Sequence, residues 1–477
     1  MGHAAPAPST SPLYAEVAVD APLGPGQALT YAIPPDLSVE PGHGVWVPLG
    51  ARASYGFVFA IASTSPVEET RPLLGLMDPL PLLSPHHLAL ARWISRTYLS
   101  PLFDAALLMA PPGFRHRLLT FYSLTPKGAA LAADSFPPAQ RRALEFLKSH
   151  GPVEGRDLRE SLGKTSDAAL RSLIARGVVE RRWKWERPRA GPKMVGHLRL
   201  RVSPAEAEGW GQRLLEKQVA RQGALLLALA QEGSLPLPQA RKEFGASAVG
   251  GLQEKGLAEV EWRQEVRDPL TGLAFAREAP KVLTEPQEQA AEAVRQALEG
   301  GGRKPRAFLL QGVTGSGKTE VYLAALAHCL ARGRRGLFLV PEISLTPQFL
   351  QRLSSRFPGR VGLYHSGLSP GEQFDTWWRV RRGEFGVVVG SRSALFLPQP
   401  DLGLIVLDEE HEWTYKQQDA SPRYDARHAA LKLADLTGAV ALFGSATPSV
   451  ETCFRALRGD LGLLRLPGRI GPGPQGE

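Results

Sequence analysis

Cysteine is nearly absent from this chain: Cys329 and Cys453 are the only two in 477 residues, far apart and in no CxxC pair. That excludes a disulfide framework and a cysteine-based zinc site, so no zinc is expected. Long apolar runs are missing as well. The longest, residues 224–230, falls far short of the roughly 20 residues a membrane-spanning helix needs, so no membrane association is expected. The first ten residues, Met-Gly-His-Ala-Ala-Pro-Ala-Pro-Ser-Thr, offer neither the basic stretch nor the apolar core of an export signal, which predicts a cytoplasmic protein. Acidic residues are outnumbered, 47 against 56 basic, for a formal net charge of +9. The surplus is local. Residues 139–193 hold 14 Lys and Arg against 7 Asp and Glu, a footprint that suits a polyanion such as nucleic acid and equally a solvated face.

What is present is organised around residues 308–319. A short apolar run, Phe308-Leu-Leu, reads as a buried strand and feeds into Gly312-Val-Thr314-Gly315-Ser316-Gly317-Lys318-Thr319, followed by a helical stretch from Glu320. Strand, glycine-rich loop and helix is the order a P-loop requires. Glycines let successive backbone N–H groups turn toward phosphate oxygens, and the helix N-terminus adds its positive end. Lys318 is expected to reach the β- and γ-phosphates of ATP, and the Thr319 hydroxyl to bind Mg²⁺. The alternative, a glycine-rich turn that merely looks the part, does not account for that context.

Length alone predicts several domains. We expect a disordered Ala/Pro/Ser leader over 1–11, then a β-rich domain over 12–113, a compact barrel or sandwich built from strands near 14–19, 29–33, 44–48 and 55–62. A first winged-helix-like domain is expected over 114–195 and a second over 196–275. They follow from an internal repeat, in which 139–185 and 222–265 each read helix, helix, helix, glycine, strand, with Gly177 and Gly256 at equivalent places. The first copy carries Arg171, Arg176, Arg181, Arg182, Lys184 and Arg187 with Trp183 and Trp185 between them, a mix suited to phosphate contact and base stacking. Its second counterpart is more acidic and reads as an interaction or packing module. From 276 to 466, six apolar runs separated mostly by helical stretches predict one RecA-like lobe: 308–310, 336–340, 361–364, 387–389, 404–407 and 440–443. A Pro/Gly-rich tail over 467–477 closes the chain. The expected fold class is thus multidomain α+β and α/β.

Within the lobe, the run 404–407 leads straight into Asp408-Glu409-Glu410-His411. A carboxylate at a strand tip beside the P-loop can hold Mg²⁺, which assigns Asp408 to the metal and Glu409 to the attacking water. After the sixth strand, Gly-Ser-Ala-Thr-Pro at 444–448 offers small hydroxyl residues able to bond both the acidic motif and a nucleic-acid strand. Upstream, Gln287 could read the adenine edge. Between these motifs, Trp413, Tyr415 and Tyr424 are expected to stack on bases while Lys416, Arg423 and Arg427 meet phosphates. Arg392 is expected to face DNA too.

These segments, together with Pro-Glu-Ile-Ser-Leu-Thr-Pro-Gln at 341–348, His-Ser-Gly-Leu-Ser at 365–369 and Gly-Ser-Arg-Ser-Ala-Leu-Phe at 390–396, resemble the bacterial primosomal replication-restart DNA helicases of helicase superfamily two. The Asp-Glu-Glu-His form and the stretch 415–427 resemble that family in particular, the latter its aromatic-rich loop. Tyr31-x-Ile-Pro34 and Val-Trp-Val-Pro-Leu-Gly at 45–50 resemble its N-terminal domain, where the family binds the 3′ end of a nascent strand. The resemblance implies an ATP- and Mg²⁺-dependent 3′→5′ helicase that recognises single-stranded and forked DNA. It also implies partners among primosome proteins and the single-stranded DNA-binding protein.

Two departures stand out. The family's aromatic-Asp pair before the pocket tyrosine is Leu29-Thr30 here, so Thr30 can hydrogen-bond a base or terminal hydroxyl but offers no carboxylate. The family also continues into a cysteine-rich zinc module and a second lobe with an arginine finger, and this chain stops before both. The alternative reading is therefore a DNA-structure-binding primosome factor, or a gene fragment, without autonomous helicase activity. A P-loop kinase or transporter ATPase would have no use for the winged-helix repeats.

Overall fold

The computed structural model describes residues 12–50, 52–115, 118–163, 166–185, 190–271, 276–300 and 306–470. The expected leader, Arg187 and the tail from 471 onward lie outside them. The chain divides into two compact units after Arg189, with Asp419–Tyr424 grouped with the first. Among the described residues no helix is long and apolar enough to cross a membrane.

The first unit opens with five antiparallel strands: β1 (Leu13–Val19), β2 (Leu29–Ile33), β3 (Gly44–Leu49), β4 (Arg52–Ala62) and β5 (Gly75–Leu76), ordered β2-β1-β4-β3-β5. Alternation along these strands sends Ala15, Val17, Val19, Val45, Val47 and Val58 into one core. The segment leading into β5 closes the sheet. Ala32 of β2 exchanges backbone hydrogen bonds with Arg71 and Leu73, while Leu74 donates to Trp46 of β3. Neither outer strand is left with a bare edge there, so the domain is a small closed barrel. Helices Pro85–Thr97 and Leu102–Leu107 follow. Phe103 and Phe114 stack on Phe57 of β4, the latter at a centroid distance of 4.3 Å.

The internal repeat is real in three dimensions and longer than its sequence echo. In the first copy β6 (Leu118–Leu124) lies between β7 (Val153–Glu154) and β8 (Val179–Trp185); in the second, β9 (Lys193–Leu200) lies between β10 (Ser234–Pro236) and β11 (Ala258–Glu265). Each copy thus starts with a strand that becomes the centre of its sheet. Gly177 and Gly256 take the same left-handed conformation, φ +66° and +67°, at the turns into β8 and β11, where a side chain would be strained. Two expectations change. The boundary drawn at 195/196 cuts through β9, which pairs residue by residue with β11 from Lys193↔Glu265 to Leu200↔Ala258. The leading strands β6 and β9 lie upstream of the helices that carry the sequence repeat, so each copy begins earlier than that repeat indicates.

The lobe is a seven-stranded parallel sheet: β12 (Ala307–Gly312), β13 (Arg335–Leu339), β14 (Val361–Tyr364), β15 (Val387–Gly390), β16 (Leu402–Leu407), β17 (Val440–Ser445) and β18 (Gly462–Leu466), ordered β14-β15-β13-β16-β17-β12-β18. β13, β15, β16 and β17 are wholly or almost wholly buried, as expected where helices cover both faces. The seventh strand, β18, was not foreseen, because its five residues show neither an unbroken apolar run nor clean alternation.

Candidate active site

Parallel strands bring their C-terminal ends to one edge of the sheet, where ligands of such folds sit. β12, β16 and β17 are adjacent there, so Gly312, Asp408 and Ser445 converge. The left-handed Gly315 and Gly317, φ +84° and +81°, turn the loop tightly into the helix Lys318–Ala331. Thr314 and Gly315 are exposed and Thr319 is half-buried in the first helical turn. Lys318 is buried, its Nζ donating to the Gly312 carbonyl at 2.9 Å and lying 4.0 Å from Glu409 Oε1.

Asp408 Oδ1 accepts from the Tyr322 hydroxyl at 3.0 Å and from the Glu409 N–H at 3.1 Å. Burial first, and the adjacent Glu409 charge second, push its carboxyl up to about 6. Glu409 itself sits at φ +46°, a strained conformation for a residue with a Cβ, of the kind concentrated at functional sites. Next door, His411 Nδ1 lies 2.7 Å from Ser445 Oγ, joining the acidic motif to the motif after β17. Glu410 is fully buried: Oε1 accepts from the Ser449 N–H at 2.7 Å, and Oε2 from the hydroxyls of Ser449 and Thr452 at 3.0 and 2.9 Å.

The donor set fits a nucleotide and a divalent cation. Ser316 Oγ is buried with no partner, a hydroxyl awaiting an acceptor. Lys318 is satisfied only by a loop carbonyl and sits beside Glu409, and Asp408 is a desolvated carboxylate that a cation would stabilise. Gln287 behaves differently from expectation. It is buried, its Oε1 accepts from the Thr284 N–H at 2.9 Å and its Nε2 donates to the Ser316 carbonyl at 3.0 Å, so here the amide braces the P-loop.

The expected DNA contacts divide sharply. Trp413 is 67% exposed and Lys416 is exposed, as base stacking and phosphate contact require. Tyr415 is buried at 1%, its hydroxyl donating to the Asp408 carbonyl at 2.7 Å with the Leu339 carbonyl 3.1 Å away; it cannot stack on a base. Tyr424 is buried too, which removes it from the stacking surface. Arg427 is bound to Asp425 through both Nε and Nη2 and donates to the Glu410 carbonyl at 3.1 Å. Arg392 donates to the carbonyls of Thr414 and Lys416. Both arginines are staples of the loop, since long side chains near a motif serve backbone carbonyls as readily as phosphates. Arg171, Arg182 and Arg423 are exposed, Arg182 pairing with Glu180 at 2.9 Å. Lys184 lies in β8, and its side chain is outside the described residues. Thr30 is half-buried on β2 with Glu16 directly across from it on β1. A carboxylate therefore stands beside Thr30 after all, bonded to Arg92 at 2.9 Å, and only strand register could have revealed it.

Two family models match the chain: a PriA 3′DNA-binding domain (3′BD) over residues 16–111 and a DEAD/DEAH box helicase over 284–455. The replication restart protein PriA of Bacillus subtilis (strain 168) is 35% identical over 474 residues, covering 96% of this chain and 56% of that protein. The chain is PriA-like. PriA of Synechocystis sp. is 37% identical over 459 residues, 92% of this chain and 52% of its own, and that of Chlamydia pneumoniae 30% over 465 residues, 97% and 52%. The PriA-like chain therefore spans about half the length of the curated relatives it matches. Both family models fall on the features above, the first on the closed barrel with its following helices and the second on the strand edge that gathers Lys318, Asp408 and Glu409.

Proposed function

We propose that this chain binds ATP with Mg²⁺ at its P-loop and engages forked and single-stranded DNA, as the ATP- and fork-binding part of a 3′→5′ replication-restart helicase. The observation that carries this reading is the Tyr415 hydroxyl, which ties the stem of the Trp413 loop to the Asp408 carbonyl. A change in that loop on binding DNA would act directly on the acidic pair. In this reading Lys318 leaves the Gly312 carbonyl for the phosphates, Ser316 Oγ finds its acceptor, and Glu409 orients the water that attacks the terminal phosphate. Mg²⁺, held by Thr319 and Asp408, would neutralise charge on the phosphates. Trp413 stacks on a base while Lys416, Arg423, Arg171, Arg182 and Lys184 meet phosphates. Thr30 and Glu16 lie in the domain that would receive a 3′ end. Other primosome proteins and the single-stranded DNA-binding protein are the partners this role implies, and the cytoplasm its place.

The test is fluorescence anisotropy of the whole chain on a labelled fork with a free 3′ end. We expect binding at low salt that falls steeply as salt rises, because counterions are released from the phosphates. A chain that ignores the fork at low salt contradicts the proposal.

A further inference from the structure

The unforeseen strand β18 pairs in parallel with β12, from Phe308↔Gly462 to Gly312↔Leu466. Adjacent parallel strands release their chains side by side, so the residues leaving β18 emerge beside the phosphate loop leaving β12. They are fastened to it. The Ile470 N–H donates to the Gly315 carbonyl at 3.0 Å. Arg469 Cγ lies 3.8 Å from where a Gly315 Cβ would stand. Ile470 Cδ1 and Gln287 Nε2 together fill the space a Cβ on Gly317 would need, which makes glycine the only residue that fits there.

The two side chains beside Gly317 differ in one respect. Gln287 is buried and holds the P-loop backbone, whereas Ile470 is 50% exposed. A large apolar side chain is thus pinned by its own backbone at the rim of a polar cradle, with half its surface open. The ligand suited to that pairing has an anionic end for the cradle and a flat apolar face for the rim, as a nucleotide does.

We propose that residues 467–470 form a strap on the nucleotide site and that Ile470 packs against the face of the nucleotide base. This deepens the ATP-binding assignment and rests on it. The strap's backbone bond fixes the loop, and its side chain discriminates a nucleotide from a bare polyphosphate.

The experiment compares two ligands, ATP and inorganic tripolyphosphate, by calorimetric titration of the whole chain and of Ile470→Ser, Ile470→Leu and Lys318→Ala. Ile470→Ser is expected to weaken ATP about five- to tenfold, the scale of losing most of one apolar contact, and to leave tripolyphosphate unchanged. Ile470→Leu should stay near the parent, and Lys318→Ala should bind neither ligand. Equal loss of ATP and tripolyphosphate in Ile470→Ser would mean that the strap only orders the loop, overturning the base contact. An unchanged ATP affinity would overturn it as well. If the parent binds ATP and Lys318→Ala does not, the site assignment survives either of those failures. A parent that binds no ATP removes both.

Discussion

Asp408 is held in a place that favours its neutral form, and that has a measurable cost. Its carboxyl is pushed up to about 6 from an ordinary 3.8, and each pH unit is worth about 1.4 kcal/mol. Between those two values the folded state holds the proton more tightly than the unfolded chain. Stability is therefore lost as pH rises through that window, and the full cost, on the order of 2–3 kcal/mol, is present above it. Asp408→Asn keeps an oxygen to accept from Tyr322 and Glu409 without the charge. We predict that it raises the melting temperature of the ligand-free chain at pH 7.5, and that the gain shrinks at pH 4.5. An equal gain at both pH values would contradict this account of Asp408. The same carboxylate becomes favourable once a cation sits beside it, so the variant should gain stability and lose Mg²⁺-dependent ATP hydrolysis together.

Among the elements, the segment between β16 and the helix Ala426–Thr437 separates surface from stem. Trp413 stands out in solvent, while Tyr415, Arg392 and Arg427 fasten the backbone around it. Trp413→Ala should weaken single-stranded DNA binding by roughly 1–3 kcal/mol, the value of one stacked base, and leave ATP binding without DNA unchanged. Tyr415→Phe keeps the ring and removes only the hydroxyl, so it should spare DNA affinity and reduce the stimulation of ATP hydrolysis by DNA. Reversed results in the two variants, read by anisotropy and by phosphate release, would show that surface and stem are misassigned. The sequence displays every aromatic and basic residue of this segment but cannot say which of them points inward. The order of strand, glycine-rich loop and helix around 308–319, by contrast, was legible to within two residues at each boundary, since all three are local. The bracing by Glu410 was not legible: its three donors come from Ser449 and Thr452, brought to it by the pairing of β16 with β17. The five-residue strand β18 was illegible for a related reason, as it draws its stability from pairing with β12, distant in the chain.

At the scale of the whole molecule, the nucleotide residues and the strongest basic stretch belong to different units. Gly312 through Thr319, Asp408 and Glu409 lie in the second unit, and the exposed Arg171 and Arg182 lie in the first with the domain that matches the 3′DNA-binding model. Binding ATP and binding a fork should therefore be separable by a single substitution. Lys318→Ala removes the charge that would meet the β- and γ-phosphates and touches no residue assigned to DNA. The decisive measurement is the affinity of this variant for a fluorescent ATP analogue and, in parallel, for a labelled fork at low salt. We predict that the analogue no longer binds while the fork binds as it does to the parent. Undiminished binding of the analogue to Lys318→Ala would contradict it.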